Sequence, residues 1–285
     1  MIYNITGATG KLGKKIVEEA LKVLDPKDVI LSVRNPDKAK EFAERGVTVR
    51  KGDYHSEQEL LTAFQNTDVL IYIPSITHPS LPRIKEFENA VIAAEKARVK
   101  HFIFIGFIAD QENSPFIMSP FFGYVPRRLA SSSLNYTYIR NAMYADPLVP
   151  YLPELIERGR LLYPVGEGKL SFISRRDIAH AVIKIATTKE LLGKRYTLTG
   201  EKAMDMVELA SILTKVSEKT IKYDPMSKEK FAETYDEPKG FGVVLASLYV
   251  AAEKNLMDEV TNDYKDIIGK TPETLEDFIS RKYKE

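Results

Sequence analysis

A chain of 285 residues, 44% apolar and 28% charged, has enough material for one large core, or a large domain with a smaller partner, and the balance of a globular protein. Its 41 basic and 40 acidic residues leave a net charge of +1, which gives no reason to expect nucleic acid or an acidic membrane as the main partner. Cysteine is absent, so disulfides, thiolate metal sites and a cysteine nucleophile are excluded, and a reducing, cytoplasmic setting fits.

The chain opens on a β-prone run (Ile2, Tyr3, Ile5, Thr6), so no secretory signal is expected. That run enters a G-x-x-G-x-x-G turn at Gly7, Gly10 and Gly13. A helical pattern follows at once, with Leu12, Ile16, Val17, Ala20, Leu21 and Leu24 on one face. Strand, glycine turn and helix is the context a dinucleotide needs. The first glycine permits the tight turn, the second lets the backbone approach a pyrophosphate, and the third lets helix and strand pack closely. The helix N-terminus presents N–H groups and a positive dipole end to the phosphates.

Strands and helices then alternate. Val29–Val33 reads as a buried strand, Pro36–Gly46 as a short charged helix, and Val47–Val49 as a strand ending at Gly52-Asp53. Ser56 with Glu59 predicts a capping box for a helix through Phe64. Val69–Ile73 is a strand closed by Pro74, Pro82–Arg98 a helix, and His101–Ile105 a fifth strand. Such alternation implies right-handed βαβ units and a parallel sheet. The regularity stops at Phe107. Residues 113–126, rich in Pro, Ser and aromatic side chains, read as a long functional or mobile loop. A helix over Arg127–Ser132 and a strand over Tyr136–Arg140 resume the pattern.

Pro147, Pro150 and Pro153 mark a departure from the sheet. Asp177–Thr187 predicts a helix returning to it and Arg195–Leu198 a last strand. Beyond residue 199 come helices over Met204–Val216, Lys228–Tyr235, Val243–Asn255 and Thr274–Lys282, with one short strand over Thr220–Tyr223. The expected fold class is α/β: a Rossmann-type doubly wound parallel sheet with a smaller, mostly helical C-terminal lobe. The expected division is a dinucleotide domain over 1–145, rejoined by 175–198, and a substrate or partner lobe over 146–174 and 199–285. No apolar run approaches the roughly 20 residues of a membrane-spanning helix. The four histidines, His55, His78, His101 and His180, have no metal-ligand spacing, so no metal site is expected.

Discrimination between NAD and NADP falls at the end of the second strand. A carboxylate there suits free ribose hydroxyls. This chain has Arg34, whose guanidinium would hold a 2′-phosphate through paired, charge-assisted hydrogen bonds. NADP(H) is therefore expected over NAD(H), although an arginine that merely lies on the surface is the plain alternative.

At this point the chain resembles the atypical short-chain dehydrogenase/reductases, in particular the NmrA-like branch that includes NADPH-dependent quinone reductases and triphenylmethane reductase. The resemblance rests on Thr6-Gly-Ala-Thr-Gly-Lys-Leu-Gly13, Val33-Arg-Asn-Pro36, Gly52-Asp-Tyr54, Arg140-Asn-Ala-Met-Tyr144, Ser174-Arg-Arg-Asp-Ile-Ala179, Tyr196-Thr-Leu-Thr-Gly200 and Thr274-Leu-Glu-Asp-Phe278. It implies that Gly7, Thr9, Gly10, Lys11, Leu12 and Gly13 contact the cofactor. It implies further that Asp53 and Tyr54 flank the adenine, that Ile73, Pro74 and Ser75 run beneath the ribose, and that Arg140–Tyr144 pass near the nicotinamide.

The catalytic pattern of the larger superfamily is not matched. Its serine should follow the fifth strand, where this chain has Gly106, Phe107 and Ile108. Its tyrosine and lysine should stand four apart; Arg127 falls at the lysine position and Gly123 at the tyrosine position, with Tyr124 one residue off and Arg128 four after it. An arginine stays protonated and cannot relay a proton. Tyr124 and Arg127 are the weak catalytic candidates, and Tyr124 reads better as a pocket wall. Direct hydride transfer to a quinone-like acceptor needs proximity and an apolar stacked pocket more than a tyrosine base. Phe107, Phe121, Phe122, Tyr124 and Tyr144, with Phe116, would build one. The expected function is an NADPH-dependent reductase of such a small molecule, with a homodimer allowed. The alternatives are an NADP-sensing regulatory protein without turnover and, behind it, a nucleotide-sugar epimerase.

Overall fold

The computed structural model describes residues 1–284. The first strand, β1 (Tyr3–Thr6), is buried along its whole length and runs through the glycine turn into α1 (Lys11–Ala20). Leu12, Ile16, Val17 and Ala20 form the buried face of α1, as their spacing predicts. Next come β2 (Val29–Val33), a 3₁₀ turn leading into α2 (Lys40–Ala43), and β3 (Thr48–Lys51). The helix α3 (Glu57–Ala63) is capped by Ser56, whose Oγ accepts from the Glu59 N–H at 3.2 Å. The reciprocal half of the capping box does not form: the Glu59 carboxylate accepts instead from the Asp53 N–H at 3.2 Å. Then follow β4 (Val69–Tyr72), α4 (Ser80–Lys96) and β5 (His101–Phe107).

The expected loop over 113–126 is corrected from Ser119 onward, where α5 (Ser119–Ala130) begins. Pro126 lies inside this helix. A mid-helix proline removes the N–H that would bond the carbonyl four residues back. That carbonyl, of Phe122, accepts from the Tyr138 hydroxyl at 3.2 Å, so the deficit is met from a neighbouring strand. Phe121, Phe122, Val125 and Leu129 supply the buried face. The next strand is β6 (Asn135–Asn141).

Beyond it lie β7 (Met143–Tyr144), α6 (Leu148–Arg158), β8 (Arg160–Leu161), β9 (Leu170–Ile173), α7 (Arg175–Ala186) and β10 (Arg195–Leu198). Pro147, Pro150 and Pro153 leave the sheet as expected but do so in a helix. Pro147 and Pro150 sit at the start of α6, where the N–H groups have no intrahelical partner to lose. The remaining elements are β11 (Ala203–Met204), α8 (Met206–Ser217), β12 (Lys222–Tyr223), α9 (Lys228–Thr234), α10 (Phe241–Glu253), α11 (Asp263–Ile268) and α12 (Leu275–Lys284).

The central sheet has seven strands in the order β10-β6-β5-β4-β1-β2-β3. The recorded pairings from β3 through β5 are all parallel, with Ile5 opposite both Leu31 and Ile71. This is the doubly wound α/β arrangement, with order reversing at β1. By compactness the chain divides into two units: Met1–Gly106, Phe121–Arg140 and Ile178–Tyr196 in the first, and Phe107–Pro120, Asn141–Asp177 and residues from Thr197 onward in the second. The first is centred on an aromatic cluster in which Tyr72, Phe87, Phe104, Phe121 and Tyr138 meet at ring separations of 5.5 to 6.1 Å. The second holds a three-stranded sheet, β11-β9-β7, a parallel pair, β12-β8, and a hairpin of α9 and α10. In that hairpin one Asp236 oxygen accepts from the N–H groups of Gly240 and Gly242. Among the described residues no helix is long and apolar enough to cross a membrane.

Candidate functional site

The glycine turn closes on itself. Gly7 takes a positive φ of +60°, and its carbonyl accepts from the Gly10 N–H at 3.0 Å. A Cβ on Gly13 would lie 2.1 Å from the Gly7 carbonyl oxygen and 2.7 Å from the Ala8 Cα. Only glycine permits this approach of α1 to β1. Gly10 is the N-cap of α1 and offers no side chain to the first turn, which carries no acidic residue. The N-terminal N–H groups of the helix therefore point outward beside exposed Lys11 and Lys14. An anion placed there meets N–H donors and the positive end of the helix dipole.

Thr6, the last residue of β1, is fully buried and organises the neighbouring loops. Its Oγ1 accepts from the Ile73 N–H at 3.0 Å and pairs with the Tyr54 hydroxyl at 2.6 Å. The Tyr54 hydroxyl also donates to the Ile73 carbonyl at 2.6 Å, and its ring packs on Tyr72 at 5.0 Å. Burial pushes the Tyr54 hydroxyl well above the ordinary tyrosine range. Tyr54 thus ties the carboxyl ends of β1 and β4 together. Asp53 precedes it, with a carboxylate that accepts from the His55 N–H at 3.0 Å. Arg34 follows β2 and is exposed, while Asn35 caps the next turn by accepting from the Asp37 N–H at 3.0 Å.

After β4 the segment Ile73-Pro74-Ser75 is held by a residue that the sequence reading missed. Glu86, on α4, is 3% exposed; its carboxylate accepts from Ser75 and, at 2.7 Å, from Thr77. Arg83, one turn earlier, donates to the Thr77 carbonyl at 2.7 Å. Nothing in the local pattern marks Glu86, because a glutamate in an amphipathic helix ordinarily faces solvent.

Gly106, one of the three residues expected where the superfamily has its serine, is closely packed. A Cβ on Gly106 would meet Tyr138, the Ile139 carbonyl and Phe104 at 3.0 to 3.1 Å, tighter than a side chain ordinarily takes. Tyr124, the weak catalytic candidate, donates its hydroxyl to Glu88 Oε1 at 2.5 Å, while Arg128 donates to Glu88 Oε2 at 3.0 Å. Desolvation, reinforced by the Glu88 charge, raises the Tyr124 hydroxyl above its ordinary value. A proton-transferring tyrosine needs the opposite shift. Arg127 is exposed and donates to the Gly123 carbonyl at 3.2 Å.

The expected pocket aromatics divide between the two units. Phe121 and Phe122 are buried in the first, 5.1 Å apart, and Phe121 is covered by Phe87, Phe104 and the Arg83 guanidinium. In the second, half-buried Phe107 packs on Phe116 at 6.0 Å, and half-buried Tyr144 lies 5.0 Å from the Arg175 guanidinium. Arg140, at 5% exposure, belongs to the interior of β6.

The last residue of β6, Asn141, falls in the segment Arg140–Tyr144 that the resemblance sets near the nicotinamide. Asn141 is 0% exposed, and neither its Oδ1 nor its Nδ2 has a hydrogen-bond partner. Its carbonyl accepts from the Ile108 N–H at 3.1 Å, which fixes it beside the end of β5. Gln111 Oε1, on the segment after β5, is likewise buried and unpaired. The glycine cradle is what a dinucleotide-binding chain of this fold requires.

Comparison with known proteins agrees with this geometry. Quinone oxidoreductase 2 of Escherichia coli is 32% identical over 279 residues, spanning 97% of this chain and 96% of that protein. Among solved structures, triphenylmethane reductase of Citrobacter sp. complexed with NADP(H) gives a TM-score of 0.91 at 28% identity, covering 99% of this chain and 100% of that one. A Staphylococcus aureus protein described as a nucleoside-diphosphate-sugar epimerase gives 0.93 at 47% identity, covering 98% and 100%. The model of the NmrA-like family matches residues 3–279, and the chain belongs to that family.

Proposed function

We propose that this protein is an NADPH-dependent reductase of a flat, conjugated acceptor of the quinone type, working without a Ser-Tyr-Lys triad. The observation that carries the reading is the 2.1 Å gap between Gly7 and a Cβ at Gly13, which builds an uncapped helix N-terminus against the end of β1. The Escherichia coli relative is a quinone oxidoreductase, and its solved structure, a complex with NADPH, matches this chain with a TM-score of 0.91.

In this reading Gly7, Thr9, Gly10, Lys11, Leu12 and Gly13 hold the diphosphate, and Arg34 holds the 2′-phosphate, so that NADPH is preferred over NADH. Asp53 and the Ile73-Pro74-Ser75 segment frame the adenosine half, with Tyr54 and Glu86 fixing those loops from behind. Arg140 contributes from within β6. Half-buried Phe107 and Tyr144 are the aromatic side chains offered to a flat acceptor. When bound, NADPH supplies a hydride, and a quinone oxygen can then take its proton from water. The side chains have only to bind and orient.

Epimerisation of a nucleotide sugar is less well supported, despite the Staphylococcus relative. That chemistry needs a tyrosine base with a lowered pKa, and here Tyr124 is held by Glu88 and its hydroxyl is raised. The test is loss of NADPH absorbance with a panel of quinones, run beside a UDP-sugar conversion assay. Quinone-dependent oxidation supports the reductase. Sugar conversion without net cofactor change, or tight NADP binding with no turnover on any acceptor, contradicts it.

A further inference from the structure

We propose that Arg175 binds an anionic oxygen of the flat acceptor and so selects ionised hydroxyquinones; this rests on the reductase reading above. The Arg175 side chain is 14% exposed, yet its guanidinium donates no hydrogen bond to any described residue. It has a ring and a carboxylate beyond bonding distance instead. Its Cζ lies 5.0 Å from the centre of the Tyr144 ring, and Nη1 lies 3.8 Å from Asp146 Oδ1. Asp146 Oδ2 accepts from the Arg175 backbone N–H at 2.7 Å. Three other arginines show what this sequence ordinarily does. Arg128, Arg158 and Arg281 have side chains 18, 24 and 31% exposed, so each is less buried than Arg175. Each of them donates: Arg128 to Glu88 at 3.0 Å, Arg158 to the Tyr235 hydroxyl at 3.1 Å, and Arg281 to both oxygens of Glu273 at 2.9 and 2.7 Å. Arg175 is buried more deeply and has no such partner.

Its place is fixed by two strand ends of the second unit. Tyr144 is the last residue of β7, and Arg175 opens α7 just beyond β9. The two strands run parallel with Tyr144 opposite Ile173, so Tyr144 and Arg175 stand at the same carboxyl end. The Ala145 N–H donates to the Ile173 carbonyl at 3.0 Å, and the Arg175 N–H donates to Asp146, so the two ends are tied on both sides of the arginine. Tyr144 is one of the half-buried rings offered to the acceptor, and Arg175 lies against it.

Chemistry then selects the ligand. A guanidinium stays protonated and carries N–H donors in a planar fork, with nothing to accept a hydrogen bond. Withdrawing that charge from water is costly unless it is paired. The Tyr144 face and the Asp146 carboxylate offset part of the cost, but neither takes an N–H bond. An unpaired donor alone is not a site, as the Tyr72 hydroxyl in the sealed aromatic core shows. Arg175 differs in keeping a permanent charge and an opening to solvent. A cation is repelled there, and a plain apolar ring leaves the N–H groups unmet. A ring beside Tyr144 that bears a negatively charged oxygen meets both residues at once, through a charge-assisted hydrogen bond. An ionised hydroxyquinone is such a molecule.

The experiment compares two quinones that share a ring system. Dissociation constants are measured by calorimetry on the full chain, with and without saturating NADP⁺, for 2-hydroxy-1,4-naphthoquinone, which is ionised at neutral pH, and for neutral 2-methyl-1,4-naphthoquinone. Wild type should bind the ionised quinone about tenfold more tightly than the neutral one, roughly the value of one hydrogen bond to a charged group. Arg175→Met keeps an apolar stem against Tyr144 and should lose that preference while binding the neutral quinone as wild type does. Arg175→Lys keeps the charge but not the fork, and should fall between the two. Both variants should bind 2′,5′-ADP like wild type, which reports an intact fold. Equal binding of the two quinones by wild type, or no measurable binding of the ionised one, overturns the proposal without any variant. A preference that survives in Arg175→Met overturns it as well. NADPH oxidation by wild type is followed alongside with the neutral quinone. Oxidation without the binding preference sinks the Arg175 assignment alone, whereas no oxidation and no binding of either quinone overturns the reductase reading itself.

Discussion

Asn4 and Asn141 are the same residue type, equally buried, in two strands of one sheet, and they are treated in opposite ways. Around Asn4 every hydrogen-bonding atom of the amide meets a protein partner, and the region reads as framework. At the end of β6 the amide meets none. The same division marks the two ends of the β1–α1 unit: β1 is sealed, whereas α1 starts on a glycine with no side-chain cap. The lesson is that satisfied polar atoms mark what the fold needs, whereas an unpaired one is not by itself a ligand site: the Tyr72 hydroxyl, inside the aromatic core, has no partner either.

The largest effect should come from the open side. Gly13→Ala drives a Cβ into the Gly7 carbonyl, and backbone cannot rotate away as a side chain can. Urea denaturation should show a loss of about 3 kcal/mol, the upper range for overpacking, with dinucleotide binding abolished. A stable variant that still binds would show that the close approach of α1 is not what builds the cradle.

The framework side makes a pH prediction. His101 is buried, its Nε2 lies 2.8 Å from Thr137 Oγ1, and burial lowers its pKa to about 4. In the unfolded chain it returns to near 6.5, so between those values the unfolded state binds more protons. The contribution is present in full above about pH 6.5 and falls away as pH drops toward 4. It amounts to about 3 kcal/mol at most by linkage. Chemical denaturation across that window should show the slope in wild type and a shallower one in His101→Gln.

Asn4→Leu and Asn141→Leu set the two regions directly against each other. Asn4→Leu strands Ser32 and the Ala63 carbonyl and should destabilise the protein by about 2 kcal/mol. Asn141→Leu removes two unpaired atoms and should leave the protein without cofactor as stable as before, or more so. Equal losses in both would break the comparison. The smallest effect belongs to Tyr124→Phe. Removing its bond to Glu88 should cost about 1 kcal/mol of stability and leave kcat within a few-fold, whereas a proton donor would lose 100-fold or more.

Much of this was legible in the sequence because local chemistry wrote it there. Val29–Val33 is a strand over the limits its apolar run predicts, Arg195–Leu198 is a strand over the expected limits, and the glycine spacing foretold the turn. The misses have a common cause, which is compensation from a distance. Three prolines and a run of aromatics argued against the helix at Ser119 and obscured the one at Leu148, and no local rule could show that Tyr138 would answer for Pro126. Likewise Glu86 is an ordinary polar residue in sequence. What singles it out is burial, and burial is decided by strands and helices far along the chain. The aromatics were read by type rather than by depth, so Phe121, a core residue, stood beside Phe107 and Tyr144, which are half exposed.

The central claim is that the turn from Gly7 to Gly13 seats the diphosphate of NADPH, with Arg34 on its 2′-phosphate. Calorimetric titration of wild type and Arg34→Ala with NADPH and NADH tests it most directly. The account predicts that wild type binds NADPH more tightly than NADH, and that Arg34→Ala weakens NADPH by roughly 10- to 100-fold while leaving NADH unchanged, as loss of charge-assisted hydrogen bonds requires. Equal loss for both dinucleotides would remove Arg34 from the 2′-phosphate, and no binding of either by wild type at millimolar concentration would contradict the account as a whole.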